Sequence, residues 1–396
     1  MAIKERLSGN EAVAYAIKQI NPDVMPAFPI TPSTEIPQLV ASYIANGQMD
    51  TEFIPVESEH SSMSATMGAS AAGARAMTAT SSCGMAFMWE LLYVAASDRL
   101  PIALALVNRA LTGPININAD HSDSMGARDA GWIQIYAENN QEAYDNMVQA
   151  FRISEHKDVM LPIMICQDGF ITSHALANIE LLEDEKVKNF VGEFKPDNFL
   201  LNKDMTMSVG PYAVSNYYME SHRAQLQGMI NAKQVILDVG REYGEISGRS
   251  YGFFEEYKTD DADYVMLVMG SAAGTAKDAV DELREEGIKA GLLKLRVFRP
   301  FPAEEIVKVI GNKKAVAILD RAESFSTQGG PLGSETCAAL YRYGATVKSQ
   351  SYLFGLGGRD FTVEDAKAVF AEIKEVGDGL KEPEQFKYLG LREREE

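Results

Sequence analysis

The first candidate for chemistry is a threonine on a stiff turn. Residues 28–33 read Phe-Pro-Ile-Thr-Pro-Ser and follow a predicted strand. Pro29 and Pro32 each remove a backbone donor and push the preceding residue toward extended geometry, so the segment cannot be helical. Ser33 is then expected to cap the next helix. Because open α/β sheets bind ligands where their strands end, we predict that Thr31 faces a ligand.

Two glutamates, Glu57 and Glu59, precede a predicted helix over residues 61–75 that consists mainly of Ala, Gly, Ser and Met. The helix lacks aromatic and branched aliphatic side chains, so another backbone or a flat ligand can approach it closely. Glu59 is the candidate ligand-facing carboxylate, whereas Glu57 is expected to bond a neighbouring residue. The alternative is that either glutamate only complements the positive end of the helix dipole.

Arg109 stands at the end of a predicted strand whose residues 101–107 are all apolar. A guanidinium in that position can bind a carboxylate through two parallel hydrogen bonds. An ion pair with Asp120 or Asp123 is the alternative. The polar loop at 108–128, which carries these aspartates, is either a lid over the site or an ordinary surface loop.

Composition limits the class of protein. The chain has 396 residues and a formal net charge of −19. With no basic stripe to offset it, this charge argues against nucleic acid and anionic membranes as partners. No signal peptide is apparent, and no apolar run approaches about 18 residues, so no membrane span is expected. The chain is therefore predicted to be cytoplasmic.

The sequence contains no motif for a metal ion. Its cysteines, Cys83, Cys166 and Cys337, are far apart and its five histidines lack ligand spacing, so zinc and iron–sulfur sites are not expected in this chain. Residues 270–274 are interpreted as a tight strand-to-helix turn rather than a phosphate loop. Residues 377–379 (Gly-Asp-Gly) match only the start of the motif that binds magnesium and diphosphate in thiamine enzymes. If the chain contacts such a cofactor, it supplies half of the site.

Strand-like and helix-like segments alternate through the first 180 residues, approximately, and again from about residue 261. Such alternation predicts βαβ units and parallel sheets. We predict an α/β fold with two domains, 1–255 and 256–396. The polar stretch from about residue 185 contains a predicted helix that ends near Gly240, and it is expected to form an arm that packs on a neighbour.

Seven short motifs resemble those of one known family. They are FPITPS at 28–33, VESEH at 56–60, NRALTGP at 108–114, DHSD at 120–123, QDGFITSH at 167–174, GSAAGTAK at 270–277 and RVFRPFP at 296–302. In order and spacing they resemble the α subunit of 2-oxoacid:ferredoxin oxidoreductases, with pyruvate:ferredoxin oxidoreductase (pyruvate synthase) as the closest type. The resemblance covers nearly the whole chain. It implies two thiamine-enzyme-type parallel-sheet domains: a pyrimidine-binding domain and one similar to the C-terminal domain of transketolase.

The resemblance also implies roles for residues and partners. Glu59 would contact N1′ of the thiamine diphosphate pyrimidine, and Pro29 and Ile30 would line the cofactor. Thr31 would hydrogen-bond the substrate, and Arg109 would pair with its carboxylate. A β subunit would provide the binding of Mg2+ and diphosphate, a γ subunit a further domain, and a δ subunit the iron–sulfur clusters.

The implied reaction converts pyruvate, coenzyme A and oxidised ferredoxin reversibly into acetyl-CoA, carbon dioxide and reduced ferredoxin. The same chemistry on a branched-chain, aromatic, 2-oxoglutarate or oxalate substrate is one alternative. A non-catalytic assembly subunit is another, although a scaffold has no need of Thr31, Glu59 and Arg109. The missing diphosphate motif argues against a third, a self-contained transketolase-like enzyme.

Overall fold

The computed structural model describes residues 3–392. Its strands are β1 (Ile3–Leu7), β2 (Val24–Ala27), β3 (Glu52–Pro55), β4 (Met77–Thr80), β5 (Ala103–Asn108), β6 (Ile133–Tyr136), β7 (Ile163–Asp168), β8 (Ala177–Leu181), β9 (Phe254–Tyr257), β10 (Tyr264–Met269), β11 (Ala290–Leu295), β12 (Val297–Arg299), β13 (Ala315–Asp320), β14 (Lys348–Leu353) and β15 (Lys387–Tyr388). Its α-helices are α1 (Gly9–Ile20), α2 (Glu35–Ala45), α3 (Glu59–Ala71), α4 (Ser82–Phe87), α5 (Trp89–Ser97), α6 (Ser122–Gly126), α7 (Asn140–Ser154), α8 (Asp184–Val191), α9 (Ser215–Ser247), α10 (Ala272–Glu285), α11 (Ala303–Ile310), α12 (Pro331–Arg342) and α13 (Val363–Gly377).

The first domain is built on a mostly parallel sheet with the strand order β12-β6-β7-β5-β4. A parallel bridge between Val24 and Ala76 links this sheet to the parallel pair β2-β3. One apolar cluster contains residues of α1, α2 and α7, and another contains residues of α3, α5 and α6. Every residue of β5 and β7 is buried, which agrees with their continuous apolar sequences, because helices cover both faces of such a sheet.

The second domain has a sheet of its own, in the order β15-β14-β13-β10-β11-β9. Its strand pairs are parallel except for the pair of β9 with β11. Helices α10 and α13 share an apolar cluster with this sheet, whereas α11 and α12 contribute to a cluster that also contains residues of the first domain. The predicted α/β fold with two parallel-sheet domains is confirmed.

The edge strand of the first-domain sheet comes from the second domain. After β11 the chain passes into β12, which pairs antiparallel with β6. Between these strands, Arg296 is buried and donates to Asn146 Oδ1 at 2.8 Å and to the Gly252 carbonyl at 3.1 Å. The second domain thus supplies the edge strand of the first. Strand β9 spans the proposed boundary at 255/256, which remains a prediction.

Helix α9 is the predicted arm, and it is longer than expected because it continues past Gly240 to Ser247. Its C-terminal half is anchored in the first domain through buried residues such as Ile236 and Tyr243. Its first turns expose Tyr217 and Met219. The partner on which this end was expected to pack is outside the described chain, so that part of the interpretation remains a prediction.

The prediction that Ser33 caps the next helix is wrong. Helix α2 begins at Glu35 with Thr34 as its N-cap residue, and no side-chain bond caps it. The Ser33 hydroxyl instead donates to the Ile30 carbonyl at 2.9 Å. Its hydrogen bond therefore closes the stiff turn rather than the end of the helix.

Helix α4 begins at Ser82, two residues after the end of β4, and Met88, where φ is −94° and ψ is 12°, separates it from α5. The loop at 108–128 contains the short helix α6. Strands β1, β6, β8, β9, β14 and β15 were not predicted, because their sequences lack a continuous apolar run. Within residues 3–392, no helix is both long enough and apolar enough to cross a membrane.

Candidate active site

Glu59 is the first residue of α3, where Ser58 caps the helix by accepting from the Ser61 backbone nitrogen at 3.2 Å. Its side chain is buried, with Glu59 only 7% exposed. Nevertheless, no hydrogen bond or ion pair holds its carboxylate anywhere in the described chain. Glu59 is not among the residues whose side-chain atoms are fully buried without a partner, so its carboxylate oxygens keep some contact with solvent. A bound ligand can therefore reach this carboxylate and donate a hydrogen bond to it.

Helix α3 can lie close to the sheet because its side chains are small. Ser62 donates to the Pro26 carbonyl at 2.9 Å and lies 2.8 Å from Thr78 Oγ1, so it contacts both β2 and β4. Thr66 bonds back to the Ser62 carbonyl at 2.7 Å. The helix is therefore held across two strand ends, which fixes the position of Glu59 at its N-terminus.

Glu59 packs against the backbone of Gly84 in α4. A Cβ atom at Gly84 would lie 2.7 Å from Glu59 Oε1 and 2.4 Å from Thr80 Oγ1. Because a side chain there would occupy the space of the glutamate carboxylate, glycine is required by close approach rather than by its backbone angles. Gly84 lies four residues after the end of β4, inside α4, and its close packing was not predicted from the sequence.

We expect Gly84→Ala to fold but to lower kcat by about tenfold or more, because the new methyl group displaces Glu59. The control is Gly68→Ala in α3, where a Cβ atom would have nothing within 4 Å. That variant should keep its activity and gain up to about 1 kcal/mol of stability. Steady-state kinetics and thermal unfolding of both variants test this. Equal activities would show that Gly84 does not constrain Glu59.

The structure places Arg109 against the turn that carries Thr31. Arg109 is 7% exposed, and it donates from Nη1 to the Thr31 carbonyl and from Nε to the Asn116 carbonyl, each at 3.0 Å. The alternative of an ion pair with Asp120 or Asp123 is wrong: no carboxylate forms an ion pair with Arg109 in the part of the chain described. A nearly buried cation with neutral partners is suited to bind an anion.

Asp123 holds the ends of two neighbouring strands together. Its Oδ2 accepts from the backbone nitrogens of Ser82 and Arg109, each at 3.0 Å, and its Oδ1 accepts from Asn108 Nδ2 at 2.8 Å. Burial raises the pKa of Asp123 to about 6, although these hydrogen bonds oppose the shift. Sequence reasoning considered Asp123 only as an ion-pair partner. Its position in the DHSD motif was the available signal.

The remaining predicted residues differ in exposure. Thr31 and Pro29 are exposed on the turn, and Ile30 is half-buried. Glu57 is exposed and accepts a hydrogen bond from the Ser61 hydroxyl, as expected of a carboxylate that bonds a neighbour. Arg109 donates a hydrogen bond directly to the Thr31 carbonyl. Glu59 instead contacts α4, whose first residue, Ser82, is linked to Arg109 through Asp123.

Cys83 lies in α4 next to Gly84. Its Sγ is 2.7 Å from Thr112 Oγ1, and this hydrogen bond lowers the pKa of the Cys83 thiol. Cys166, by contrast, is fully buried in β7, where burial raises the pKa of its thiol well above the ordinary value. Cys166 is therefore a small core residue.

Three carboxylates, from Glu138, Glu142 and Glu255, lie close enough together to hold a cation. The Lys294 ammonium already lies among them, 2.9 Å from Glu138 Oε2 and 2.8 Å from Glu255 Oε2. Glu142 also bonds this ammonium. The group is therefore a buried salt-bridge cluster at the domain junction rather than a metal centre.

The chain has a thiamine-enzyme fold. The structure superposes on a chain of the 2-oxoglutarate:ferredoxin oxidoreductase from Magnetococcus marinus with a TM-score of 0.73 at 20% identity, over 95% of this chain and 65% of that chain. It also superposes on a split-gene transketolase chain with a TM-score of 0.56 at 12% identity, over 93% of this chain and 98% of that one. These likenesses concern the fold.

The chain belongs to the pyruvate flavodoxin/ferredoxin oxidoreductase family, because residues 15–241 match its thiamine diphosphate-binding domain and residues 262–366 match core domain II of pyruvate:ferredoxin oxidoreductase. It is 50% identical over 387 residues to pyruvate synthase subunit PorA of Thermotoga maritima, covering 98% of both chains. It is 44% identical over 391 residues to ketoisovalerate oxidoreductase subunit VorA of Pyrococcus abyssi, again covering 98% of both. The family predicted from the motifs is confirmed.

Proposed function

We propose that this chain is the α subunit of a thiamine diphosphate-dependent 2-oxoacid:ferredoxin oxidoreductase, with pyruvate as its substrate. The reaction is the reversible conversion of pyruvate, coenzyme A and oxidised ferredoxin to acetyl-CoA, carbon dioxide and reduced ferredoxin. The observation that carries the proposal is the buried, unpartnered carboxylate of Glu59, which lies inside the segment that matches the thiamine diphosphate-binding domain.

The residues around Glu59 fit the cofactor. Gly84 leaves a space beside the carboxylate that a Cβ atom would fill, and Pro29 and Ile30 form the nearby turn. Bound thiamine diphosphate would supply the electron sink needed to release carbon dioxide from a 2-oxoacid. The part of Glu59 is to accept a hydrogen bond from N1′ of the pyrimidine and to hold the proton there.

Arg109 and Thr31 are assigned to the substrate. The Arg109 guanidinium binds the carboxylate, and the Thr31 hydroxyl donates a hydrogen bond near the keto oxygen. Within residues 3–392, Arg109 is the only lysine or arginine with a hydrogen bond to Thr31. One cation suits a substrate with one carboxylate, which supports pyruvate over a dicarboxylic 2-oxoacid such as 2-oxoglutarate.

The rest of the proposed enzyme comes from partner chains. The relatives PorA and VorA are themselves named as subunits, and the sequence lacks the thiamine-enzyme motif for magnesium and diphosphate. We assign Mg2+ and diphosphate binding to a β subunit and the iron–sulfur clusters to a δ subunit, with a γ subunit completing the assembly. Ferredoxin accepts the electrons and coenzyme A accepts the acyl group.

A branched-chain 2-oxoacid is the second candidate substrate. It is favoured by the 44% identity to VorA, which exceeds the 43% identity to PorA of Methanocaldococcus jannaschii. Identity alone therefore does not separate the two substrates. The pocket side chains facing the acyl group decide between them.

The test is to purify the chain with its co-purifying subunits and to compare kcat/KM for pyruvate and ketoisovalerate, with coenzyme A and oxidised ferredoxin present. We expect the higher value for pyruvate. A higher value for ketoisovalerate selects the second candidate, and no coenzyme A-dependent ferredoxin reduction with either contradicts the proposal. In parallel, the isolated chain should bind thiamine diphosphate much more weakly than the complex, because it holds half of the site.

A further inference from the structure

A buried ion pair joins the two domains beside the candidate site. Arg321 Nη1 of the second domain lies 2.8 Å from Asp168 Oδ2 of the first, and their side chains are 3% and 1% exposed. Ser271 donates to the same oxygen from its backbone nitrogen at 2.9 Å and from its hydroxyl at 2.5 Å. Burial by itself would raise the pKa of Asp168, but Arg321 and His121 hold it well below its ordinary value.

The orientation of the Arg321 guanidinium is set by its surroundings. It lies over the Phe354 ring, 5.1 Å from the centroid. On the neighbouring side, Gly355 has a φ of +62°, and a Cβ atom there would lie 2.8 Å from Arg321 Nε. Both the backbone angle and the close approach therefore require glycine at this position.

Asp168 and Arg321 together hold His121, which is itself 1% exposed. His121 Nε2 lies 2.7 Å from Asp168 Oδ1, and the His121 backbone nitrogen donates to the Arg321 carbonyl at 2.8 Å. Two residues after His121, Asp123 accepts from the backbone nitrogen of Arg109 at 3.0 Å. A continuous series of contacts thus runs from the second domain to the residue assigned to the substrate carboxylate.

Other contacts fasten the same loop to the second domain. Asn116 Nδ2 donates to the Gly357 carbonyl at 3.0 Å, and the Gly357 nitrogen donates to Asp120 Oδ2 at 3.2 Å. Asn116 in turn accepts from Arg109 Nε through its carbonyl. The loop that was read as either a lid or an ordinary surface loop is therefore held at several points by the second domain.

We propose that Arg321 is a positioning residue for substrate binding, which acts through Asp168 and His121 to keep Asp123 where it fixes Arg109. This rests on the proposed function, in which Arg109 binds the substrate carboxylate. No hydrogen bond joins Arg321 to Thr31, Glu59 or Arg109 within residues 3–392. Its loss should consequently weaken substrate binding more than it slows the chemical step, and KM rather than kcat should change.

The test is Arg321→Met in the complete multi-subunit enzyme. KM for pyruvate should rise by about tenfold or more while kcat stays within about threefold of the wild type. Amide hydrogen exchange over residues 109–125 should accelerate. Arg321→Lys, which keeps a cation beside Asp168, should recover part of the change. Unchanged KM and unchanged exchange in Arg321→Met would overturn the proposal.

Ser271→Ala is the milder variant, because it keeps both charges of the buried pair and removes only the two hydrogen bonds of the Ser271 hydroxyl, the one it donates to Asp168 and the one it accepts from Arg321. It should raise KM by about threefold. If Arg321→Met does not assemble, this variant tests the positioning role of Arg321 in its place. An unchanged KM in Ser271→Ala would count against the proposal. Lys277→Met is the matched control, since it removes an interdomain ion pair with Glu138 at 2.9 Å without contacting Asp168. An equal rise of KM in this control would indicate general loosening and overturn the specific role.

The exchange measurement also separates this inference from the proposed function. If the wild-type complex turns over no 2-oxoacid, the proposed function fails, yet exchange over residues 109–125 still reports whether Arg321 positions the loop. If the complex is active but exchange and KM are unchanged in Arg321→Met and Ser271→Ala, the positioning role fails alone.

Discussion

Glu59→Gln should lower kcat of the assembled enzyme by about 10²- to 10⁴-fold, the range for loss of a group that holds or transfers a proton. Glutamine has nearly the shape of glutamate but cannot carry the charge that keeps a proton on N1′ of the pyrimidine. Because Glu59 has no hydrogen-bond partner within the described chain, the substitution should leave folding and subunit assembly intact. Single-turnover and steady-state assays on the purified complex, with size-exclusion chromatography, measure both effects.

Glu57→Gln is the matched control for this prediction. Glu57 lies two residues earlier, is exposed, and accepts a hydrogen bond from Ser61, so its variant should retain kcat and KM. Near-normal activity of Glu59→Gln would show that the Glu59 carboxylate does not hold the proton on N1′ of the pyrimidine. A similar loss in both variants would indicate that the start of α3, rather than the carboxylate of Glu59, is what the enzyme needs.

Arg109→Ala should raise KM for the 2-oxoacid and lower kcat/KM by ~2–4 kcal/mol, which corresponds to about 30- to 900-fold. The reason is that the substrate carboxylate would lose its charged partner at a nearly buried position. The Thr31 turn would also lose the hydrogen bond from Nη1. Measuring kcat and KM separately shows whether ground-state binding is lost.

Arg99→Ala provides the comparison for Arg109→Ala. Arg99 likewise donates to backbone carbonyls, those of Met160 and Ala224, but it precedes β5 whereas Arg109 follows it. The control should lose stability without a specific change in KM. An unchanged kcat/KM in Arg109→Ala, or an equal rise of KM in Arg99→Ala, would remove the assignment of Arg109 to the substrate.

Local pattern in the sequence was enough to predict the α/β alternation and most helices. Strands β5, β7, β10 and β13 are continuous apolar runs bounded by turn residues, and all their residues are buried. A strand covered on both faces needs such a run, so its sequence is diagnostic. Strands β6 and β14 contain polar residues that form hydrogen bonds within the fold. Side-chain periodicity alone therefore does not distinguish these strands from loops.

Some features of the candidate site could also be predicted from the sequence, whereas others could not. Three residue types could be predicted locally: a threonine on a proline-bounded turn, a glutamate before a small-residue helix and an arginine after an apolar strand. Local backbone preferences place each of them at the end of an element. Their partners, in contrast, depend on how distant segments pack together. Asp123 reaches Ser82 across 41 residues and Asp168 reaches Arg321 across 153. Side-chain periodicity reports which face of an element is buried, but it carries no information about which distant residue covers that face. For this reason the role of Arg321 and the shared strand β12 emerged only from the folded chain.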